Sequence, residues 1–149
     1  ARYPRVAMGG TFDNLHNGHR RLLTIASSIC TETLTIGITD DSMLRGKKHA
    51  EQLQSFDERV TSVRRFMHDV NPSLRLNIVR LTDGLGPPAT REEFDAVLVS
   101  SETLKGAIAI NEARATRGFK PLNICICRRQ AAATLSSTFI RERLARQAS

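Results

Sequence analysis

Residues 9–19 read Gly9-Gly10-Thr11-Phe12-Asp13-Asn14-Leu15-His16-Asn17-Gly18-His19, directly behind the apolar run Val6-Ala7-Met8. Ahead of them Leu22, Leu23, Ala26, Ile29 and Cys30 repeat at helical spacing. A short buried strand that runs through glycines into a helix mouth is the opening unit of an α/β fold. The N–H groups at such a mouth lack intrahelical partners and carry the positive end of the helix dipole, so a phosphate is the ligand they suit. Gly18 leaves the backbone open to close approach, and His16 and His19 supply donors that can neutralise charge growing at phosphorus. The His-x-x-His spacing would also suit zinc, but no third ligand stands nearby.

The rest of the chain repeats the alternation. Residues 34–39 (LTIGIT) read as a buried strand that leads into a polar loop holding Asp40, Asp41, Lys47 and Lys48. Ser55 and Glu58 form a capping box for a helix whose apolar positions are Phe56, Val60, Val63, Met67 and Val70, stopped by Pro72. Residues 74–81 alternate as a strand and run into the breaker-rich Asp83-Gly84-Leu85-Gly86-Pro87-Pro88. Residues 96–99 form a continuous apolar strand. A helix follows over about 102–117, with the stripe Leu104, Ile108, Asn111, Ala115 and with Gly118 at C′. Residues 122–127 give a further strand, and a short final helix starts near Ser136-Ser137 and carries Phe139, Ile140 and Leu144. Strands separated by helices of this length imply right-handed crossovers. The expected fold is α/β: a Rossmann-like, doubly wound parallel sheet with helices on both faces, one domain over 1–149, with its ligand at the carboxyl ends of the strands.

Composition narrows the partners without choosing one. The 149 residues carry a net charge of +7, from 18 arginines and four lysines against 15 acidic residues. Such a chain favours anions, whether phosphometabolites, nucleic acid or an acidic protein. The basic residues are scattered in short pairs, only Phe and one Tyr could stack on bases, and no RNA-binding signature is present. No apolar stretch approaches a membrane span, and the first residues lack the apolar core of a signal peptide. The chain lacks an initiating methionine, and a longer parent protein is one reading of that. Cys30, Cys125 and Cys127 lie in apolar segments without CxxC spacing, which reads as buried reduced thiols in a reducing compartment, cytoplasmic or mitochondrial.

The second chemical stretch is Leu135-Ser136-Ser137-Thr138-Phe139-Ile140-Arg141. Three hydroxyl residues at a helix start serve as N-caps or, with free N–H groups, as a grip on phosphate, and Arg141 one turn inside would close over it with its planar fork. Asn111 interrupts an apolar stripe, so it either bonds neighbouring backbone or reaches a ligand; the reading favours a nucleotide contact. Arg114 and Arg117 read as plain surface charges. Asp83, at a strand end, stands where it could reach a substrate arm.

GGTFDNLHNGH with LSSTFIR resembles the nucleotidyltransferases of the HxGH type, whose second signature is an ISSTxIR segment. The finer likeness is to the phosphopantetheine adenylyltransferases of eukaryotic and archaeal type. It rests on Ser55-Phe56-Asp57-Glu58-Arg59-Val60, on Asp83-Gly84-Leu85-Gly86-Pro87, and on Val99-Ser100-Ser101-Glu102-Thr103 with Lys105-Gly106-Ala107-Ile108-Ala109-Ile110-Asn111. This resemblance implies transfer of AMP from ATP to 4′-phosphopantetheine, with Mg2+ carried on the ATP phosphates. It implies that His19 stabilises charge at the α-phosphate, that His16 touches the triphosphate, and that Thr11 places the attacking phosphate. Gly10, Thr11 and Phe12 would line the junction of the two substrates, Ser136, Ser137, Thr138 and Arg141 the outer phosphates, and Asp83 the pantetheine arm. A lysine after the second strand would bridge both phosphates; Lys47 and Lys48 compete, and Lys48 is favoured.

Bacterial relatives carry Arg-x-x-Arg where this chain has Ser100-Ser101-Glu102-Thr103, which leaves open what replaces those arginines. No GxxxxGK[ST] loop is present, so the dephospho-coenzyme A kinase activity fused to some relatives is expected outside these residues, either fused in a longer protein or on another chain. The alternatives on the same scaffold are a cytidylyltransferase or a nicotinamide-mononucleotide adenylyltransferase. The alternative outside enzymology is a basic nucleic-acid-binding module.

Overall fold

The computed structural model of the chain describes residues 2–44 and 53–127, and the backbone of 139–141. Five strands run parallel: β1 (Tyr3–Gly10), β2 (Cys30–Thr39), β3 (Arg75–Leu81), β4 (Ala96–Ser100) and β5 (Asn123–Cys127). The sheet order is β3-β2-β1-β4-β5-β6, where β6 (Phe139–Arg141) is a short edge strand. Helices α1 (Asn17–Ile29) and α2 (Phe56–Val70) connect the β1, β2 and β3 strands, and α3 (Leu104–Thr116) connects β4 to β5. The chain therefore starts in the middle, builds outward through β3, and returns past β1 to build the other half. Strand order reverses between β1 and β4, and a crevice opens there at the carboxyl ends.

Each face of the sheet has its own core. On one, Val6, Met8, Leu34 and Ile36 pack against Leu23, Ala26, Val63 and Met67 from α1 and α2. On the other, Ala7, Val97, Val99 and Ile124 pack against Ala107 and Ile110 from α3. The expected doubly wound α/β architecture is what the chain forms. The three cysteines are buried. Among the described residues no helix is long and apolar enough to cross a membrane.

Local signals explain the boundaries. Ser55 Oγ accepts from Glu58 N at 3.2 Å while Glu58 Oε1 accepts from Ser55 N at 2.8 Å, so the capping box forms as read. At the end of α3, Phe119 N donates to Arg114 O and Gly118 N to Ala115 O, a Schellman close that needs the left-handed φ of +77° at Gly118. Cys30, grouped above with the first helix, instead opens β2 in extended conformation.

Two expectations fail. The α3 stripe is displaced: Ala107, Ile110 and Arg114 face the core, while Ile108 is 44% exposed. Alanine and isoleucine surround this helix almost evenly, so periodicity had little to choose with. The final helix is the second failure. Phe139–Arg141 forms a short strand β6, antiparallel to β5, with Ile126 opposite Ile140. The outer edge of β5 offers unpaired backbone groups, and an aromatic and a β-branched residue suit a strand better than a helix. Arg141 therefore does not stand one turn inside a helix; Leu144 lies outside the described residues.

Candidate active site

The glycines Gly9 and Gly10 end β1 at the crevice, and residues 11–16 turn sharply into α1. Phe12 and Asn14 hold left-handed backbone, with φ of +54° and +44°. Such a conformation is unusual for a buried phenylalanine and persists only where surroundings over-determine it. Here they do. Phe12 is buried beneath the turn, Gln54 N donates to Asp13 Oδ1 at 2.7 Å, and Asn14 N donates to Gln54 Oε1 at 2.8 Å.

Beneath the turn lies Arg59, fully buried. Its guanidinium donates to Thr11 O at 3.0 Å, Thr39 O at 2.7 Å and Gln54 O at 3.1 Å, and pairs with Asp41 at 2.7 Å. One side chain thus ties the loop after β1 to the end of β2 and to the approach to α2. The sequence carried a signal for it, since Arg59 stands four residues before Val63 on the buried face of α2. Nearby, the Ser42 hydroxyl and the Arg80 guanidinium hold the Asp40 carboxyl down at about 2.

His16 is the N-cap of α1. Its Nδ1 accepts from Gly18 N at 3.1 Å and from His19 N at 3.4 Å, while His16 N donates to His19 Nδ1 at 3.4 Å. The two imidazoles replace the usual serine and glutamate of a capping box. This corrects the expectation that the helix-mouth N–H groups wait free for an anion: the His16 ring takes two of them. The rings stack with centroids 3.7 Å apart and planes 20° from parallel. With both Nδ1 atoms accepting, the neutral rings carry their protons on Nε2, where a ligand can use them. Burial, and after it the nearby His16 and Arg20, push His19 below its ordinary value, against an opposing pull from Asp13. A Cβ on Gly18 would stand 3.0 Å from His16 Cε1, so glycine gives the ring its place.

Two cavities meet at this turn. One, of about 320 Å³, is lined by Gly9, Gly10, Thr11, Phe12, His16, Gly18, His19, Arg21 and the Ser100–Thr103 segment. The other, of about 300 Å³, is largely apolar and is walled by Met8, Gly37, Met43, Leu81, Asp83, Leu85, Pro88 and Ile110. Gly9, Gly10 and Thr103 line both. Asp83 keeps its place at the rim while its Oδ1 accepts from Leu85 N and Gly86 N, bonds that lower its pKa.

Two sequence expectations are replaced. The Asn111 amide is taken up by the backbone of Leu122, accepting from its N at 2.8 Å and donating to its O at 3.2 Å, in place of the expected nucleotide contact. The chain before β5 left a peptide unpaired, and the amide matches it on both sides. Arg114 is no surface charge: it is buried and donates to the carbonyls of Lys120, Pro88, Arg91 and Glu92 at 2.7–3.2 Å. That loop presents its carbonyls inward, and a planar five-donor group satisfies them where water is excluded. Lys47, Lys48, Ser136, Ser137, Thr138 and the side chain of Arg141 lie outside the described residues. Among the described residues no three potential metal ligands converge.

A crevice at the strand-order reversal, with a histidine-capped helix mouth between two cavities, is the arrangement of a nucleotidyltransferase. The chain belongs to the cytidylyltransferase-like family, whose model matches residues 7–143. Within it, the chain is similar to a protein of Methanopyrus kandleri named phosphopantetheine adenylyltransferase, 46% identical over 85% of this chain and 79% of that one. A Thermococcus kodakarensis protein of the same name is 37% identical over 83% of this chain and 73% of its own. The Saccharomyces cerevisiae protein of that name is also 37% identical, but this chain spans 39% of its length. A crystal structure of a protein of unknown function from Archaeoglobus fulgidus superposes with a TM-score of 0.72 at 30% identity, covering 93% of this chain and 96% of that one.

Proposed function

We propose that the protein transfers AMP from MgATP to the phosphate of 4′-phosphopantetheine, releasing diphosphate and forming dephospho-coenzyme A. The observation that carries this is the pair of cavities sharing Gly9 and Gly10. The polar one, rimmed by His16 and His19, suits the nucleotide; the apolar one suits a long, mostly uncharged pantetheine arm. Their junction is where an attacking phosphate oxygen and the α-phosphorus would meet in line. The attacking phosphate carries about −1.5 to −2 at neutral pH, so no strong base is required. What the reaction needs is orientation and charge neutralisation.

His19 would meet the α-phosphate through Nε2 as charge develops, and His16 the outer phosphates. Thr11, with its carbonyl fixed by Arg59, would receive the attacking phosphate, and Phe12 and Gly18 would shape the nucleotide side. The family resemblance assigns Lys48, or else Lys47, to bridge both phosphates, and Ser136, Ser137, Thr138 and Arg141 to the leaving diphosphate. Magnesium would enter with ATP as part of the substrate. The buried thiols favour a reducing setting, cytoplasmic or mitochondrial, and the product would pass to a dephospho-coenzyme A kinase, whether fused in a longer protein or carried on another chain.

The test is diphosphate release measured with ATP and with CTP, each with and without phosphopantetheine. Turnover is expected only with ATP and phosphopantetheine together. Turnover with CTP alone as nucleotide would overturn the assignment in favour of a cytidylyltransferase.

A further inference from the structure

Arg21 stands in the second turn of α1, three residues beyond Gly18, and lines the histidine cavity with Leu22, Leu98 and Cys127. It is the only arginine or lysine among the described residues lining that cavity. Its Nε is buried and has no hydrogen-bond partner among the described residues. Other arginines around the site are committed: Arg59 and Arg114 to backbone carbonyls, Arg80 to Asp40, Arg20 to Asn17. The group beside Arg21 is the Cys127 thiol, which its guanidinium pulls toward the thiolate by charge and by a side-chain hydrogen bond, though burial pushes the thiol up more strongly. A neutral thiol is a poor acceptor for a guanidinium.

A buried, unmatched N–H on a permanently charged group is costly, and a weak thiol contact repays little of that cost. The cavity's other cationic candidates tend the opposite way. Burial, and after it the stacked His16 ring, disfavour the charged form of His19. The lasting positive charge on this wall therefore belongs to Arg21, and its complement is an anion rich in acceptor oxygens. We propose that Arg21 is a binding residue for the polyphosphate of the nucleotide, donating from its guanidinium to phosphate oxygens. This rests on the histidine cavity being the nucleotide site, as argued above.

Arg21→Gln and Arg21→Lys test it. Each is assayed for steady-state turnover against both substrates, for binding of ATP and of inorganic diphosphate by calorimetry, and for thermal unfolding without ligand. A lost charged hydrogen bond corresponds to about tenfold to hundredfold in affinity. Arg21→Gln is expected to raise the KM for ATP by about that factor and to weaken diphosphate binding in parallel. The KM for phosphopantetheine is expected to hold, and Arg21→Lys to recover part of the loss. Since the unpaired Nε gives the fold little, the ligand-free melting temperature should hold or rise. Weakened ATP binding with unchanged diphosphate binding would place the guanidinium on the nucleoside and overturn the proposal, as would equal losses for both substrates. Unchanged ATP and diphosphate binding in both variants would also overturn it. Failure of the underlying reading looks different: the unaltered protein itself would bind no ATP.

Discussion

At the residue scale the central object is the histidine pair, whose two jobs are separable. His16 caps α1 through Nδ1 and His19 closes the box from the next turn, so both structure and chemistry run through the same rings. His19→Ala keeps the cap acceptor on His16 and removes the Nε2 donor. It is expected to lower kcat by about 10²–10³ while far-UV circular dichroism stays native. A rate within twofold of the original would remove His19 from the chemistry. Its pKa gives a second handle. Because the folded value lies below the unfolded 6.5, the unfolded chain binds this proton more readily as the solution is acidified. The associated stability is present above pH 6.5 and is lost as pH falls through the lower folded value. His19→Asn should flatten the decline in melting temperature between about pH 7 and 5, and an unchanged decline would assign it to other groups.

At the scale of elements, two buried arginines decide how the loops stand. Arg59 ties the β1 loop to the end of β2, and Arg114 holds the Pro88–Glu92 carbonyls, which back the apolar cavity. Arg114→Ala leaves four carbonyls without donors, and the loss is expected to reach about 3 kcal/mol or more in chemical denaturation. A change below about 0.5 kcal/mol would mean that water replaces it freely. Arg59→Lys keeps the charge but loses the fork, so a lower melting temperature should accompany a raised KM for phosphopantetheine, whose phosphate the proposed reaction seats at Thr11.

These side chains also mark where sequence reading ran short. The Ser55–Glu58 cap, the Gly118 close and the buried strands are local, and local chemistry announced them. What Arg114 and Asn111 bind is set by carbonyls brought from residues distant along the chain, and no spacing rule reports that. Arg59 was legible in part, lying in register with the α2 stripe, yet its partners were not. The misplaced final helix has the same cause: β6 exists because β5 has a free edge.

At the scale of the whole molecule, strand order turns these parts into a site. Because β1 lies between β2 and β4, its terminal glycines face both halves of the sheet, and the two cavities open on either side of them. The opening GGTFDNLHNGH supplies most of the histidine cavity, whereas the apolar cavity draws its walls from β2, β3, α3 and the loop after β3. Its existence follows from the fold. The account therefore rests on one spatial statement: two substrates occupy two cavities and react over Gly10 and Thr11. A crystal structure of the protein with dephospho-coenzyme A tests this most directly. The adenylate should lie in the cavity of His16, His19 and Arg21, the pantetheine arm between Met8, Leu81 and Ile110, and the diphosphate linkage over Gly10. An adenine ring in the apolar cavity, or a product bound away from the β1–β4 crevice, would contradict it.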